Sequence, residues 1–109
     1  MKEEDLKKIF GKRVRFIRKE RNLTQEQLSE MTDMDPQHFC KLENGTHFPS
    51  PKNLVKIANA LNVDIFDLFT PTSKNKTLDK IFIQAKTLTE EELEFVLNTI
   101  YSLLKLRKT

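Results

Sequence analysis

Apolar residues recur through the first twenty positions with the period of a helix. Leu6, Phe10, Val14 and Ile17 stand at i, i+4, i+8 and i+11, one stripe on one face, and predict a helix from about Glu3 to Arg21. Ile9 and Phe16, seven residues apart, form a second, flanking stripe. A small domain needs only the first, so the second asks for something else to pack on this helix. After Asn22, a turn residue, the pattern breaks into short pieces with marked ends. Thr24 followed by Gln27 is a capping box, which opens a helix over about Gln25 to Glu30. Asp35 is a second N-cap, with Pro36 at the first helical position, where its missing N–H costs nothing. Asn44-Gly45 is a left-handed stop.

Within that third helix, Phe39 and Leu42 share an inward face, and Met34 leads into the same side. Gln37, His38 and Lys41 are turned outward. Two short helices on a tight turn bury little by themselves, and the arrangement reads as a helix-turn-helix. Ser50-Pro51 opens a fourth helix to Leu61, with Leu54, Ile57, Ala58 and Leu61 inward and Asn62 closing it. Asp64 caps a short fifth, Ile65 to Phe69, burying Ile65, Leu68 and Phe66. Residues 1–69 are therefore expected to form one all-α domain.

Residues 70–76, Thr-Pro-Thr-Ser-Lys-Asn-Lys, have the composition of a linker, and 77–109 form a tail. Thr77 caps a short helix bearing Leu78, Ile81, Phe82 and Ala85, although Ile81-Phe82-Ile83 also suits a strand. Thr89 and Glu92 make another capping box, with Leu88 and Leu93 as its staple. Glu90 and Glu91 sit at the positive end of this helix, with Lys105, Arg107 and Lys108 at the negative end. Leu93, Val96, Leu97, Ile100, Leu103 and Leu104 form a broad apolar stripe that requires a partner. The candidates are the Ile9/Phe16 stripe and the same helix of a second chain.

Composition narrows the function. The chain has 109 residues, one ordinary domain with an extension, and a net charge of only +3. Distribution says more: residues 1–21 carry nine Lys or Arg against four acids, a local charge of about +5 and a plausible footprint for a polyanion. Cys40 is the single cysteine, so neither an internal disulfide nor a cysteine-based zinc site is expected. His38 and Cys40, two apart on a helix, diverge by about 200° and do not converge on a metal. No cofactor is implied, and no Ser/His/Asp set or glycine-rich phosphate loop points to an enzyme. No run is long enough to span a membrane and no signal segment is visible, so a cytoplasmic chain without an evident small-molecule ligand is expected.

Several motifs together resemble a known family. Gly11-x-Arg13-Val14-Arg15-x-Ile17-Arg18, Leu23-Thr24-Gln25-Glu26-Gln27-Leu28, Phe39-x-x-Leu42-Glu43-Asn44-Gly45, Pro49-Ser50 and Leu54-x-x-Ile57-Ala58-x-Ala60-Leu61-x-Val63 are similar to the lambda-repressor-like (XRE/Cro) helix-turn-helix family. The likeness runs without a gap from about Leu6 to Phe69. It implies a five-helix DNA-binding domain that docks its third helix in the major groove, usually as a dimer on a two-fold operator. On that likeness Pro36, Gln37, His38 and Lys41 read bases. Gln25, Asn44, Thr46 and His47 touch phosphates, Arg13 joins them from the basic first helix, and Arg18 and Glu43 bridge the first helix to the third. Four positions depart from the family pattern. Pro36 has no donor and offers a base only apolar contact, Ser29 replaces a usual Ala, and Thr46 and Phe48 stand where basic residues are common.

The expectation is a transcriptional regulator, a repressor, bound to double-stranded DNA as a homodimer through Leu93, Val96, Leu97, Ile100, Leu103 and Leu104. The rival is a protein-interaction adaptor that keeps the fold without reading DNA. Gln37, Lys41 and Asn44 on the outward face argue against it.

Overall fold

The short helices begin where a side chain can take up a free backbone N–H. In a computed structural model, which describes residues 1–107, α1 spans Glu3–Glu20, α2 Gln25–Met31, α3 Pro36–Glu43 and α4 Pro51–Leu61. A 3₁₀ helix, Ile65–Phe69, follows, then α5, Lys76–Ala85, and α6, Glu90–Leu106. No strand occurs among the described residues; Lys108 lies outside them. Thr24 Oγ1 accepts from Gln27 N at 3.0 Å while Gln27 Oε1 accepts from Thr24 N at 2.8 Å. Asp35 Oδ1 accepts from Gln37 N at 2.8 Å, Ser50 Oγ from Asn53 N at 3.2 Å, and Thr89 Oγ1 from Glu92 N at 3.2 Å.

Four of the helices stop at a left-handed residue: Asn22, Asp33, Gly45 and Asn62. At the end of α3 only Gly45 is left-handed, with φ +80°, whereas Asn44 is still helical. Gly45 N donates to Leu42 O and Thr46 N to Lys41 O, the paired bonds that satisfy the last carbonyls and reverse the chain. Asn and Asp tolerate this conformation better than other residues with a Cβ, which is why α1, α2 and α4 can end without glycine.

The core is assembled across these helices. Phe10, Val14 and Ile17 of α1 meet Leu28, Phe39, Leu42, Ile57, Leu61 and Leu68, all fully buried. Gly11 brings α1 against the end of α3: a Cβ there would stand 2.5 Å from the Leu42 carbonyl oxygen and 2.7 Å from that of Glu43. Phe66, expected inward, is 83% exposed. At three residues per turn, Ile65 and Leu68 share one side of the 3₁₀ helix, and Phe66 falls off it.

The region after residue 69 differs most from expectation. The 70–76 segment does not part α5 from the domain. Ile83 is fully buried in the core, and Asp79 is buried beside Arg13, 3.8 Å from its Nη1. Ser73 N donates to Asp79 Oδ2 at 2.7 Å. Arg21 Nη2 donates to the Ile83 carbonyl, Gln84 Nε2 to the Glu20 carbonyl, and Lys86 Nζ reaches Asp64 and Asp67. α5 is a helix, not a strand, and Asn75 rather than Thr77 caps it, accepting from Leu78 N at 3.1 Å. Its core face is Asp79/Ile83, so Leu78, Ile81 and Phe82 are left exposed.

α6 leaves the body. None of its residues is buried: Leu93 and Val96 are half-covered, and Leu97, Ile100, Leu103 and Leu104 are exposed. It is α5 that packs on α1 instead; Phe16 packs on the core beneath the Arg13 guanidinium, while Ile9 stays half-exposed. The radius of gyration, 16.2 Å, accordingly exceeds the roughly 13 Å of a compact chain this long.

Candidate nucleic-acid interface

α3 is fixed by its inner face and free on its outer one. Phe39, Leu42 and Glu43 are buried; Pro36, Gln37 and Lys41 are exposed and His38 half-buried. Cys40, a free thiol, is also half-buried. The helix presents an amide and an ammonium one turn apart, with Pro36 as an apolar corner at its start. Gln can pair with an adenine edge through both of its amide groups, and Lys with the acceptors of guanine.

The orientation of that face is set from below. Glu43 Oε2 accepts from Arg18 Nε at 2.7 Å and Oε1 from Arg18 Nη2 at 3.0 Å, a buried two-pronged pair. Gln25 Nε2 adds a bond to Glu43 Oε1 at 2.9 Å, and Arg18 Nη1 donates to the Leu23 carbonyl. α1, the turn before α2, α2 itself and α3 are therefore tied at one point. One amide hydrogen of Gln25 is spent on Glu43. The other hydrogen and the free backbone N–H groups at the start of α2 remain for an anion.

The loop after α3 continues the surface. Asn44, Thr46 and His47 are exposed. Thr46 Oγ1 lies 3.1 Å from the Lys41 carbonyl, to which it donates, and 3.3 Å from His47 Nδ1. The His47 ring meets His38 edge-on, centroids 5.6 Å apart, so the loop and α3 share one face.

Arg13 is not part of it. The residue is 1% exposed, donates from Nε to the Asp67 carbonyl at 2.9 Å and faces Asp79. Burial pushes its guanidinium down from its ordinary value, against the opposing pull of Asp79 and Asp67; it stays a cation. A side chain so enclosed docks α5 and the 3₁₀ helix on α1 and cannot reach a phosphate. The sequence carried the warning, because Arg13 lies three after Phe10 and four before Ile17, on the inward face. Lys8 of the same helix lies on the other side. It is exposed and packs against Gly45, where a Cβ would meet its Cγ at 2.9 Å, beside the Asn44–His47 loop. The α6 residues of the expected stripe lie on the projecting helix.

The family pattern described as a helix-turn-helix domain matches residues 11–74. The chain belongs to the XRE-type, lambda-repressor-like helix-turn-helix family of transcriptional regulators. An uncharacterised HTH-type transcriptional regulator of Sinorhizobium fredii is 33% identical over 70 residues, covering 64% of this chain and 91% of its own. The restriction–modification controller C.AhdI of Aeromonas hydrophila is 32% identical with a TM-score of 0.56, over 58% of this chain and 96% of that one. The immunity repressor protein of Bacillus phage phi105 is 36% identical over 55 residues, half of this chain and 38% of its own length. The family is one of regulators rather than enzymes. No helix among the described residues is long and apolar enough to cross a membrane.

Proposed function

We propose that this protein is a sequence-specific repressor that docks α3 in the major groove of a palindromic operator as a homodimer. The observation that carries the reading is α3 itself, whose inner face is locked by the Arg18–Glu43 pair while Gln37 and Lys41 stand free on the outer one. Pro36 and His38 complete the base-reading set. Gln25, Asn44, Thr46 and His47, with Lys8 in place of Arg13, hold the phosphates and so fix register without reading sequence. Repression is favoured by the likeness to the phage immunity repressor, because a regulator lying across a promoter excludes whatever else would bind there. Selection of bound sites from random DNA tests the whole reading. Enrichment of an inverted repeat with half-sites about 34 Å apart is the expected result, and recovery of no common sequence removes it.

Gln37→Ala isolates the reader. It is expected to weaken binding to the selected operator by about 1–3 kcal/mol while leaving random duplex nearly unchanged. Titrations of both duplexes at one salt concentration measure this, and an equal loss on the two assigns Gln37 to positioning instead.

Leu93, Val96, Leu97, Ile100, Leu103 and Leu104 supply the contact between copies, in support of which they share one helix on which Leu97, Ile100, Leu103 and Leu104 are exposed and Leu93 and Val96 only half-covered. Removing the chain beyond Leu88 deletes α6 but spares Asp79 and Ile83, whose partners lie in the domain. Sedimentation velocity of the truncated protein is expected to show a monomer that keeps its helical circular dichroism. A dimer as stable as that of the full chain moves the interface elsewhere.

A further inference from the structure

α6 carries more than an uncovered apolar stripe, because its charges are sorted along its length. Glu90 opens it, Arg107 closes it, and between them Leu93, Leu97, Ile100 and Leu104 recur at alternating spacings of four and three. Counted as heptads, Glu90, Leu97 and Leu104 occupy one seam position, and Leu93, Ile100 and Arg107 the other. The two possible orientations of a pair of such helices then differ sharply. Side by side and parallel, Glu90 would face its own copy at one end and Arg107 its own copy at the other, like charge on like charge. Antiparallel, each layer joins one seam position to the other: Leu97 to Ile100, Leu93 to Leu104, and Glu90 to Arg107, closing both ends with opposite charge. The macrodipoles of the two helices also oppose each other only in this orientation.

Resting on the reading of α6 as the contact between copies, we propose that the occupant of its apolar face is the α6 of a second chain in antiparallel register, Leu97 against the partner's Ile100. Val96 and Leu103 flank the seam on one side and extend it. The groove between α5 and α6, about 400 Å³ and lined by Ile81, Ala85, Leu88 and Val96 among others, lies along the same flank. The partner's helix runs along it, which covers Ile81, left exposed by α5 within its own chain. The two domains are thereby carried at opposite ends of one helical pair, so that the span between their reading helices is set by a rigid element and not by a flexible tail.

Disulfide trapping reads the orientation directly. In a full-length Cys40→Ser background, Leu93→Cys and Leu104→Cys are made on separate, differently tagged chains, mixed and oxidised. Residues 93 and 104 of one helix lie about 16 Å apart, so each pairing reports a different arrangement. Efficient joining of the two different tags, with little joining of either chain to itself, is the expected result. Joining of each variant to itself shows parallel helices, which overturns the antiparallel register but leaves α6 as the interface. A dimer in sedimentation that none of the pairings traps overturns both, as does a monomeric full chain. Charge reversal supplies a second readout. Glu90→Arg alone and Arg107→Glu alone each weaken self-association several-fold, and the two single variants mixed or the double variant recover it. No recovery in the double variant rules out the Glu90–Arg107 layer.

Discussion

Glu43→Ala is expected to cost about 3–5 kcal/mol of folding free energy, read from urea unfolding, although it removes a charge from a helix end. The reason is what it leaves behind. Arg18 is buried, and two of its three donor nitrogens point at Glu43, the third at the Leu23 carbonyl. Without the carboxylate a guanidinium that cannot deprotonate is stranded in the interior with one partner, and Gln25 loses its anchor as well. Glu43→Gln should fall between, since an amide oxygen still accepts but the charge is lost. The more searching comparison is the double change Arg18→Met with Glu43→Leu. Replacing both ions by apolar groups of similar size abolishes the stranded charge, and stability should return to within about 1 kcal/mol of the starting protein or exceed it. Operator affinity should not return with it, because Gln25 has no acceptor in the leucine variant. A loss below about 1 kcal/mol for Glu43→Ala alone would show that water reaches Arg18 and that the pair is not closed.

The parts of the fold that were legible beforehand are those decided within a few residues. Thr24 with Gln27, Asp35 with Pro36, Ser50 with Pro51 and Thr89 with Glu92 each place a helix start where the hydrogen bonds are found, because a cap is a contact between near neighbours. The inward residues of α3 and α4 follow for the same reason, since a helical repeat fixes which side chains share a face. What escaped the sequence depends on distant partners. Arg13 finds Asp67 and Asp79 over fifty residues away, and only their convergence turns a basic surface residue into a buried one. The inward face of α5 is not legible locally, since Leu78, Ile81 and Phe82 outweigh Ile83 in a local count, whereas the distant partners of Asp79 and Ile83 hold that side against α1. The segment at 70–76 reads as a linker by composition, yet Ser73 and Asn75 use their polar groups to hold the turn that docks α5. At the candidate interface the α3 side chains were recognisable from spacing and resemblance, but Lys8 emerges only once Gly45 is seen against it.

Gly11→Ala is the second large effect expected, and it links stability to recognition. Neither obstacle to the new methyl group is a side chain that can swing away. Both are carbonyl oxygens of the α3 backbone, at 2.5 and 2.7 Å from where the Cβ would sit. The helices must therefore separate by several tenths of an ångström along a crossing that also carries the Arg18–Glu43 pair. Overpacking of this kind costs about 1–3 kcal/mol and sometimes more, while alanine recovers up to about 1 kcal/mol of helix propensity inside α1. With rigid backbone on one side the cost lies at the upper end, and a net loss of about 2 kcal/mol is expected in thermal or urea unfolding. At Gly45 a Cβ would crowd Lys8 of α1, 2.9 Å from its Cγ and 3.1 Å from its Cα, and φ +80° adds strain of its own. The two changes should still separate on DNA. Gly45→Ala disturbs the turn after α3, but Gly11→Ala displaces α3 itself relative to Lys8 and the N-terminus of α2, so Gln37 and the phosphate contacts can no longer be satisfied together. Measured well below its melting temperature, folded Gly11→Ala protein should bind the selected operator about tenfold more weakly than wild type, with a smaller loss on random duplex. If the variant unfolds more easily but binds with wild-type affinity, the α1–α3 crossing serves stability alone, and the position of the reading helix is set elsewhere.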